Sequence, residues 1–198
     1  MDEPATLVNN QLLVPVSFIG ASLDHDVTWD SEALVANIVT LPPPEMLQWE
    51  RVPLAPVTPI PIADLKEKMY ASFTATYGPE NVPKMFDNVQ SNTSRWAGNI
   101  GSHIDFDFGE TIQLERFDAA FYNGHTRSSR IMFSVSDDGV NWTNVYGGDT
   151  VGDTSNFIPF NFPSIHTRYF RVAVFGSTDA ILSPEWVSIS EMKFFVKK

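Results

Sequence analysis

The sequence predicts an all-β protein: an antiparallel jelly-roll sandwich preceded by a small β-rich N-terminal segment and a proline-rich connector. Three observations carry that expectation. Apolar and polar residues alternate at the strand period of two in several short runs between residues 102 and 196. Those runs are separated by Gly and Asp turn residues and not by helical periods. Half of the 14 prolines crowd into residues 42–61, where neither a helix nor an inner strand tolerates them, because proline lacks the N–H donor and fixes φ.

Residues 1–41 form the β-rich attachment segment. Leu12-Leu13-Val14-Pro15-Val16-Ser17-Phe18-Ile19 reads as a strand, and so does the run from Val27-Thr28-Trp29 through Val35 to Val39, with a turn from Asp24 to Asp26. About forty residues make a poor core of their own. Exposed strand edges are therefore expected to dock on a partner chain or an assembly. Residues 42–62 are the connector, extended and semi-rigid in the polyproline manner, with Trp49 and Val52-Pro53-Leu54 expected to pack on something.

Residues 63–198 are the sandwich, expected to fold without the preceding 62. The longest helical period covers only residues 65–70. In Ser102-His103-Ile104-Asp105-Phe106-Asp107-Phe108-Gly109, the residues Ile104, Phe106 and Phe108 point to a core, while His103, Asp105 and Asp107 point away from it. Ile131, Phe133 and Val135 repeat the pattern up to the turn Asp137-Asp138-Gly139. Phe170, Val172 and Val174 repeat it again, and residues 189–196 form the last strand.

Composition excludes several functions. Thirteen basic against 24 acidic residues give 13 − 24 = −11, a charge that repels phosphate backbones and anionic lipid, so no nucleic-acid partner is expected. Without cysteine there is no disulfide, thiolate metal site or thiol nucleophile. No apolar run approaches the ~20 residues of a membrane span, so no membrane insertion is expected, and Met-Asp-Glu-Pro-Ala does not read as a secretion signal. The four histidines, His25, His103, His125 and His166, are scattered. No zinc-hydrolase, serine-hydrolase, phosphate-loop or dinucleotide motif is present. Asp105 and Asp107 share a strand face, where paired carboxylates are usually just solvated. No enzyme is indicated.

Read in order, residues 63–198 resemble the discoidin family, the coagulation-factor type C domain, and within it the family 32 carbohydrate-binding modules. The shared words are Ala71-Ser72, Asp87-Asn88, Thr93-Ser94-Arg95-Trp96, Ile104-Asp105-Phe106-Asp107-Phe108-Gly109 and Phe121-Tyr122-Asn123-Gly124-His125-Thr126-Arg127. They continue in Phe133-Ser134-Val135-Ser136-Asp137-Asp138-Gly139-Val140-Asn141-Trp142-Thr143, Arg168-Tyr169-Phe170-Arg171-Val172 and Trp186-Val187-Ser188-Ile189-Ser190-Glu191. The resemblance implies an eight-stranded jelly roll whose loops at one end hold a glycan or polysaccharide.

A sugar is held by an aromatic plane against its C–H face and by hydrogen bonds to its hydroxyls. On that basis His103, Tyr122, His125, Arg127 and Trp186 are the ligand-binding candidates, each on a loop or strand end. The competing readings are structural: Arg127 bracing a loop, Tyr122 in the core, Trp186 sealing the barrel end. Gly176-Ser177 stands where many sugar-binding relatives have Gly-Asn, which weakens a galactose-type reading. The resemblance also implies a structural calcium ion held by Asp87, Thr93 and Glu191, although the loop from Asp87 to Trp96 looks long for that site. Separately, Val8-Asn9-Asn10-Gln11-Leu12-Leu13-Val14-Pro15, Phe18-Ile19 and Val27-Thr28-Trp29-Asp30 resemble the stalk-type repeat named from copper amine oxidase N-terminal domains, with Ser17 and Asp24 departing from its usual arginine and glycine.

The expected function is non-catalytic carbohydrate binding or adhesion, displayed on a cell surface or particle, extracellular or on a virion. The alternative is a structural decoration or fibre protein of a bacteriophage virion. A third reading is an accessory module of a glycan-degrading enzyme.

Overall fold

The computed structural model describes strands at residues 6–8, 11–13, 25–30 and 35–40 and the stretches 47–178 and 185–198. The chain divides into two compact units, Met1–Met46 and Leu47–Lys198.

The first unit carries two antiparallel pairs. Strand β1 (Thr6–Val8) pairs with β2 (Gln11–Leu13), and β3 (His25–Asp30) pairs with β4 (Val35–Thr40). Residues 14–19, expected to prolong the first long strand, lie outside the described residues. The turn expected from Asp24 to Asp26 is corrected: His25 and Asp26 already stand in β3 opposite Thr40 and Val39. Cross-strand pairing there outweighs the turn preference of aspartate, which is only a local tendency.

The second unit is built from β5 (Leu65–Glu67), β6 (Ser72–Ala75), β7 (Trp96–Asn99), β8 (His103–Phe121), β9 (Ser129–Ser136), β10 (Thr143–Asp149), β11 (Ile158–Ser177) and β12 (Trp186–Lys197). Every pairing is antiparallel, in the order β10-β9-β11-β8-β12-β5, with β6 added to β8 and β7 to β12. Two strands are far longer than the rest, and both serve two faces. The first half of β8 lies between β6 and the second half of β11; its second half lies between β12 and the first half of β11. The ladder breaks register between Asn161 and Ile165 and again between Thr167 and Tyr169, and such bulges bend a strand. Gly109, at φ +76°, supplies the left-handed residue on β8.

The helical period at residues 65–70 gives no helix: Leu65–Glu67 is strand β5, paired with the end of β12, and Leu65 is its one buried residue. An open strand edge decides the matter against local pattern. Among the described residues two 3-10 turns form instead: a short one at Ile62–Asp64 just before β5, and Pro79–Phe86, opened by a proline whose φ is preset for it, which drives Val82 and Met85 into the core.

The alternation read from sequence holds. Ile104, Phe106, Phe108, Ile131, Phe133, Phe170, Val172 and Val174 are all buried, and Val135 is half-buried against the core, although on β9 the intervening Met132 and Ser134 are covered as well. Phe117 packs against Phe133, Phe160, Phe170 and Phe194 with centroids 4.9 to 6.1 Å apart. Each such ring contributes about 1.5–3 kcal/mol by leaving water.

Of the connector expected over residues 42–62, residues 42–46 lie outside the described ones, and 47–62 belong to the second unit. Val52 and Gly147 exchange both backbone hydrogen bonds, at 3.0 and 2.8 Å. Glycine is required at 147, because a Cβ there would run into the carbonyl of Glu50. Leu54 packs on the core, Trp49 lies 4.8 Å from the Arg130 guanidinium, and Asn144 Nδ2 donates to Glu50 Oε2 at 3.2 Å. This stretch is a strap along the edge strand β10.

Two outcomes are expected. Thermal denaturation followed by circular dichroism should show a chain beginning at Leu47 melting roughly 5 °C above one beginning at Ala63, with Gly147→Val lowering the midpoint of the first and not of the second. Phe117→Ala should cost about 3–5 kcal/mol in urea unfolding, the usual loss for a fully buried ring.

Candidate functional site

Three loops meet at one end of the sandwich: residues 122–128 between β8 and β9, residues 150–157 between β10 and β11, and the segment leaving β11 at Thr178. Hydrogen bonds tie them together. Thr178 N–H donates to Ser128 O at 3.0 Å, Thr150 N–H to Ser129 O at 2.9 Å, and Ser128 N–H to Thr178 Oγ1 at 2.9 Å. The approach is close enough that a Cβ on Gly124 would strike the carbonyl of Thr154.

Of the five sequence candidates, four fall at this end. Tyr122 is half-buried and anchored by its N–H to Ser188 O at 3.0 Å, and the Arg95 guanidinium stacks on its ring at 4.1 Å. Trp186 opens β12 opposite Asn99 and meets Tyr77 edge-on at 5.3 Å. His125 is exposed, its Nδ1 2.9 Å from Ser155 Oγ. Arg127 is half-buried in the same loop. Arg95, which sequence reasoning passed over, joins them because the loop before β7 folds back onto Tyr122. A cation stacked on an aromatic ring offers both a plane and donors to one ligand.

His103 stands apart. It is the first residue of β8, within the sheet opposite Ala173, and its Nε2 lies 4.0 Å from Asp105. Burial first, then the Arg171 charge, lower its pKa and hold the ring neutral. Its Nδ1 is buried without a hydrogen-bond partner. Asp105 and Asp107 are not a free acid pair. Arg171 grips Asp105 with two bonds of 2.6 and 2.7 Å, and Arg168 grips Asp107 with two of 2.9 and 3.0 Å. The Arg168 hydrogen bonds hold the Asp107 carboxyl below its ordinary range, helped by the Gly109 N–H at 2.7 Å.

The expected cation ligands divide. Asp87 and Glu191 come into contact, with Glu191 Oε1 accepting the Val89 N–H at 2.8 Å. Thr93 makes its described contact with Ser91 Oγ, at 3.2 Å. Burial, then the neighbouring Asp87, raises the Glu191 pKa, while the Ser94 hydroxyl lowers that of Asp87. The proton of the pair therefore belongs on Glu191. Glu191 is 1% exposed and its Oε2 has no partner, an orphaned buried oxygen beside a second carboxylate that suits a hard cation. Among the described residues no group of three or more His, Asp or Glu is placed to hold a metal, so hydroxyls and backbone carbonyls would complete the shell, as calcium accepts.

A rigid antiparallel jelly roll presenting aromatic and cationic side chains on loops at one end defines a recognition module. The chain belongs to the F5/8 type C domain family, whose model matches residues 69–192. Among solved structures, the CBM32 of AlyQ in complex with 4,5-unsaturated mannuronic acid is 30% identical, with a TM-score of 0.59, over 66% of this chain and 98% of that one. Truncated AlyQ with its CBM32 and alginate lyase domains is 28% identical, with a TM-score of 0.60, over 68% of this chain but only 34% of that one. A pectin-binding carbohydrate-binding module, 20% identical with a TM-score of 0.56 over 64% of this chain and 91% of its own, shares the fold. No curated protein matches closely enough to count as a relative. Among the described residues no helix is long and apolar enough to cross a membrane.

The Asp107 pair predicts a pH dependence. A depressed folded-state pKa gives stability that is present above the unfolded value of about 3.9 and is lost as pH falls through the folded value. Asp107→Asn should therefore melt below the native chain at pH 7, and the gap should close progressively as melting is measured from pH 4 downward.

Proposed function

We propose that this protein is a non-catalytic carbohydrate-binding module whose loop end receives an acidic polysaccharide, of the uronate class. The observation that carries the reading is the Arg95 guanidinium stacked on Tyr122 at 4.1 Å beside the loop bearing His125 and Arg127. In a chain of net charge −11, cations gathered on ligand-facing loops favour an anionic ligand there, and the aromatic plane meets the C–H face of a sugar ring. The likeness to a CBM32 bound to an unsaturated uronate supports the same class. Tyr122 serves as the platform, Arg95 and Arg127 as carboxylate and hydroxyl donors, His125 as a hydrogen-bonding rim residue and Trp186 as a second aromatic wall. The β-rich unit and the strap then serve attachment to a surface or a partner chain outside the cell.

A calcium ion at Asp87 and Glu191 is part of the proposal. It would neutralise the carboxylate pair and lock the loop from Asp87 to Trp96, which carries Arg95.

Isothermal titration with alginate oligosaccharides should show binding weakened about tenfold or more by Tyr122→Ala and by Arg127→Ala, equivalent to about 1.4 kcal/mol. Affinity in both variants equal to that of the native chain, or no binding to any acidic oligosaccharide, rejects the reading. Calcium added to chelator-treated protein should raise the melting midpoint by several degrees, and Glu191→Gln should abolish the rise.

A further inference from the structure

The outer face of the sheet formed by β6, β8, β11, β9 and β10 carries a cleft of about 220 Å³ lined by Ser72, Thr74, Asp105, Asp107, Trp142 and Tyr169, with Gly139 at its rim. None of its lining residues belongs to the three loops of the other site. Thr74 pairs across to Asp105 and Asp105 to Arg171; Ser72 pairs to Asp107 and Asp107 to Tyr169. We propose that this cleft is a second binding site, for one neutral hexose unit. It rests on its own lining, and the loop-end assignment is not needed for it.

Four features point to that ligand. The volume lies below the roughly 300–1,000 Å³ of drug-sized sites and suits a single ring. The two carboxylates are fixed, each gripped by an arginine, and are 19% and 20% exposed. A carboxylate has about four acceptor positions. The bidentate Arg171 takes two of those of Asp105 and leaves the others for sugar hydroxyls, whereas Arg168 and the Gly109 N–H already take three of those of Asp107. Trp142 is held by Arg171 stacked 4.1 Å from its ring centroid, which gives a rigid aromatic wall. Gly139, at φ +74°, adds no side chain beside the Tyr169 ring, where a Cβ would stand 3.5 Å away. The turn that places Gly139 and Trp142 is itself rigid, because Asp138 accepts the N–H groups of Val140 and Asn141 at 2.8 Å each, the Asn141 Nδ2–H at 2.7 Å and the Ser136 hydroxyl at 3.0 Å.

Charge separates this site from the loop end. The groups facing the cleft are carboxylates whose charge is balanced by Arg168 and Arg171, so the cleft offers acceptors to sugar hydroxyls, while the guanidinium groups, already engaged, are poorly placed to receive the carboxylate of a uronate. The cleft and the loop end would thus select different units of a mixed polysaccharide, or two different chains.

The test uses the full chain with methyl β-galactoside, methyl α-mannoside and methyl β-glucoside as probes, and glucuronate as the charged counterpart. Two-dimensional amide and indole NMR should show at least one neutral glycoside shifting the Trp142 indole and Gly139 amide signals saturably, with glucuronate at least tenfold weaker at the same signals. Thr74→Trp, an exposed position on β6, should fill the cleft and abolish those shifts, and Ser72→Leu serves the same purpose if the first variant fails to fold. Tyr122→Ala should leave them intact while removing the loop-end binding. No saturable shift with any of the three neutral probes, persistence in both cleft variants, or equal response to glucuronate overturns the proposal.

Discussion

Phe117 lies where the inward faces of β8, β9, β11 and β12 converge, touching Phe133, Phe160, Phe170 and Phe194. That convergence requires β8 and β11 to leave one face of the sandwich and enter the other without a break in the chain. Their bulges and Gly109 allow the bend, and the aromatic cluster holds it. Everything presented at the surface inherits its position from this closure. The loop end is assembled because β8 finishes at Phe121 beside the start of β12, and the outer-face ladder is assembled because the same strand begins at His103 beside the end of β11.

The polar exterior is organised by the same register. With Ile104, Phe106, Val172 and Phe170 directed inward, Asp105, Asp107 and Arg171 must lie outside, and antiparallel pairing sets Arg171 opposite Asp105. Arg168 reaches Asp107 across the register shift between Thr167 and Tyr169. Both acid–base pairs are partly solvated, so their Coulomb gain is modest. Their effect is geometric: they fix the direction of two carboxylates and, through Arg171, the plane of Trp142.

Much of this was legible in the sequence. Alternating hydrophobicity named the inward residues of β8, β9 and β11, because burial of one face imposes a period of two. The ordered family words placed Tyr122, His125, Arg127 and Trp186 at one end. Other features depend on long-range partners and left no local signal. Asp105 and Asp107 read as solvated, since their arginines lie 66 and 61 residues away. Arg95 stacks on a tyrosine supplied by the loop after β8. His103 reads as a strand-end residue open to ligand, yet pairing with Ala173 and proximity to Asp105 hold it in the sheet. The strand at Leu65 exists only because β12 offers an edge to it, and the 3-10 turn at Pro79–Phe86 is hidden by its two prolines.

The strap has a mechanical meaning. Tension applied at the N-terminus enters the folded body through residues 47–54, where a single bridge between Val52 and Gly147, the Asn144 contact of Glu50 and the Trp49–Arg130 stack oppose it. Those contacts yield one after another, like a zip, whereas β8 between its neighbours resists as a whole ladder sheared at once. Tension that reaches Leu47 therefore releases the strap before the β8 ladder, and the loop end keeps its shape while the strap yields.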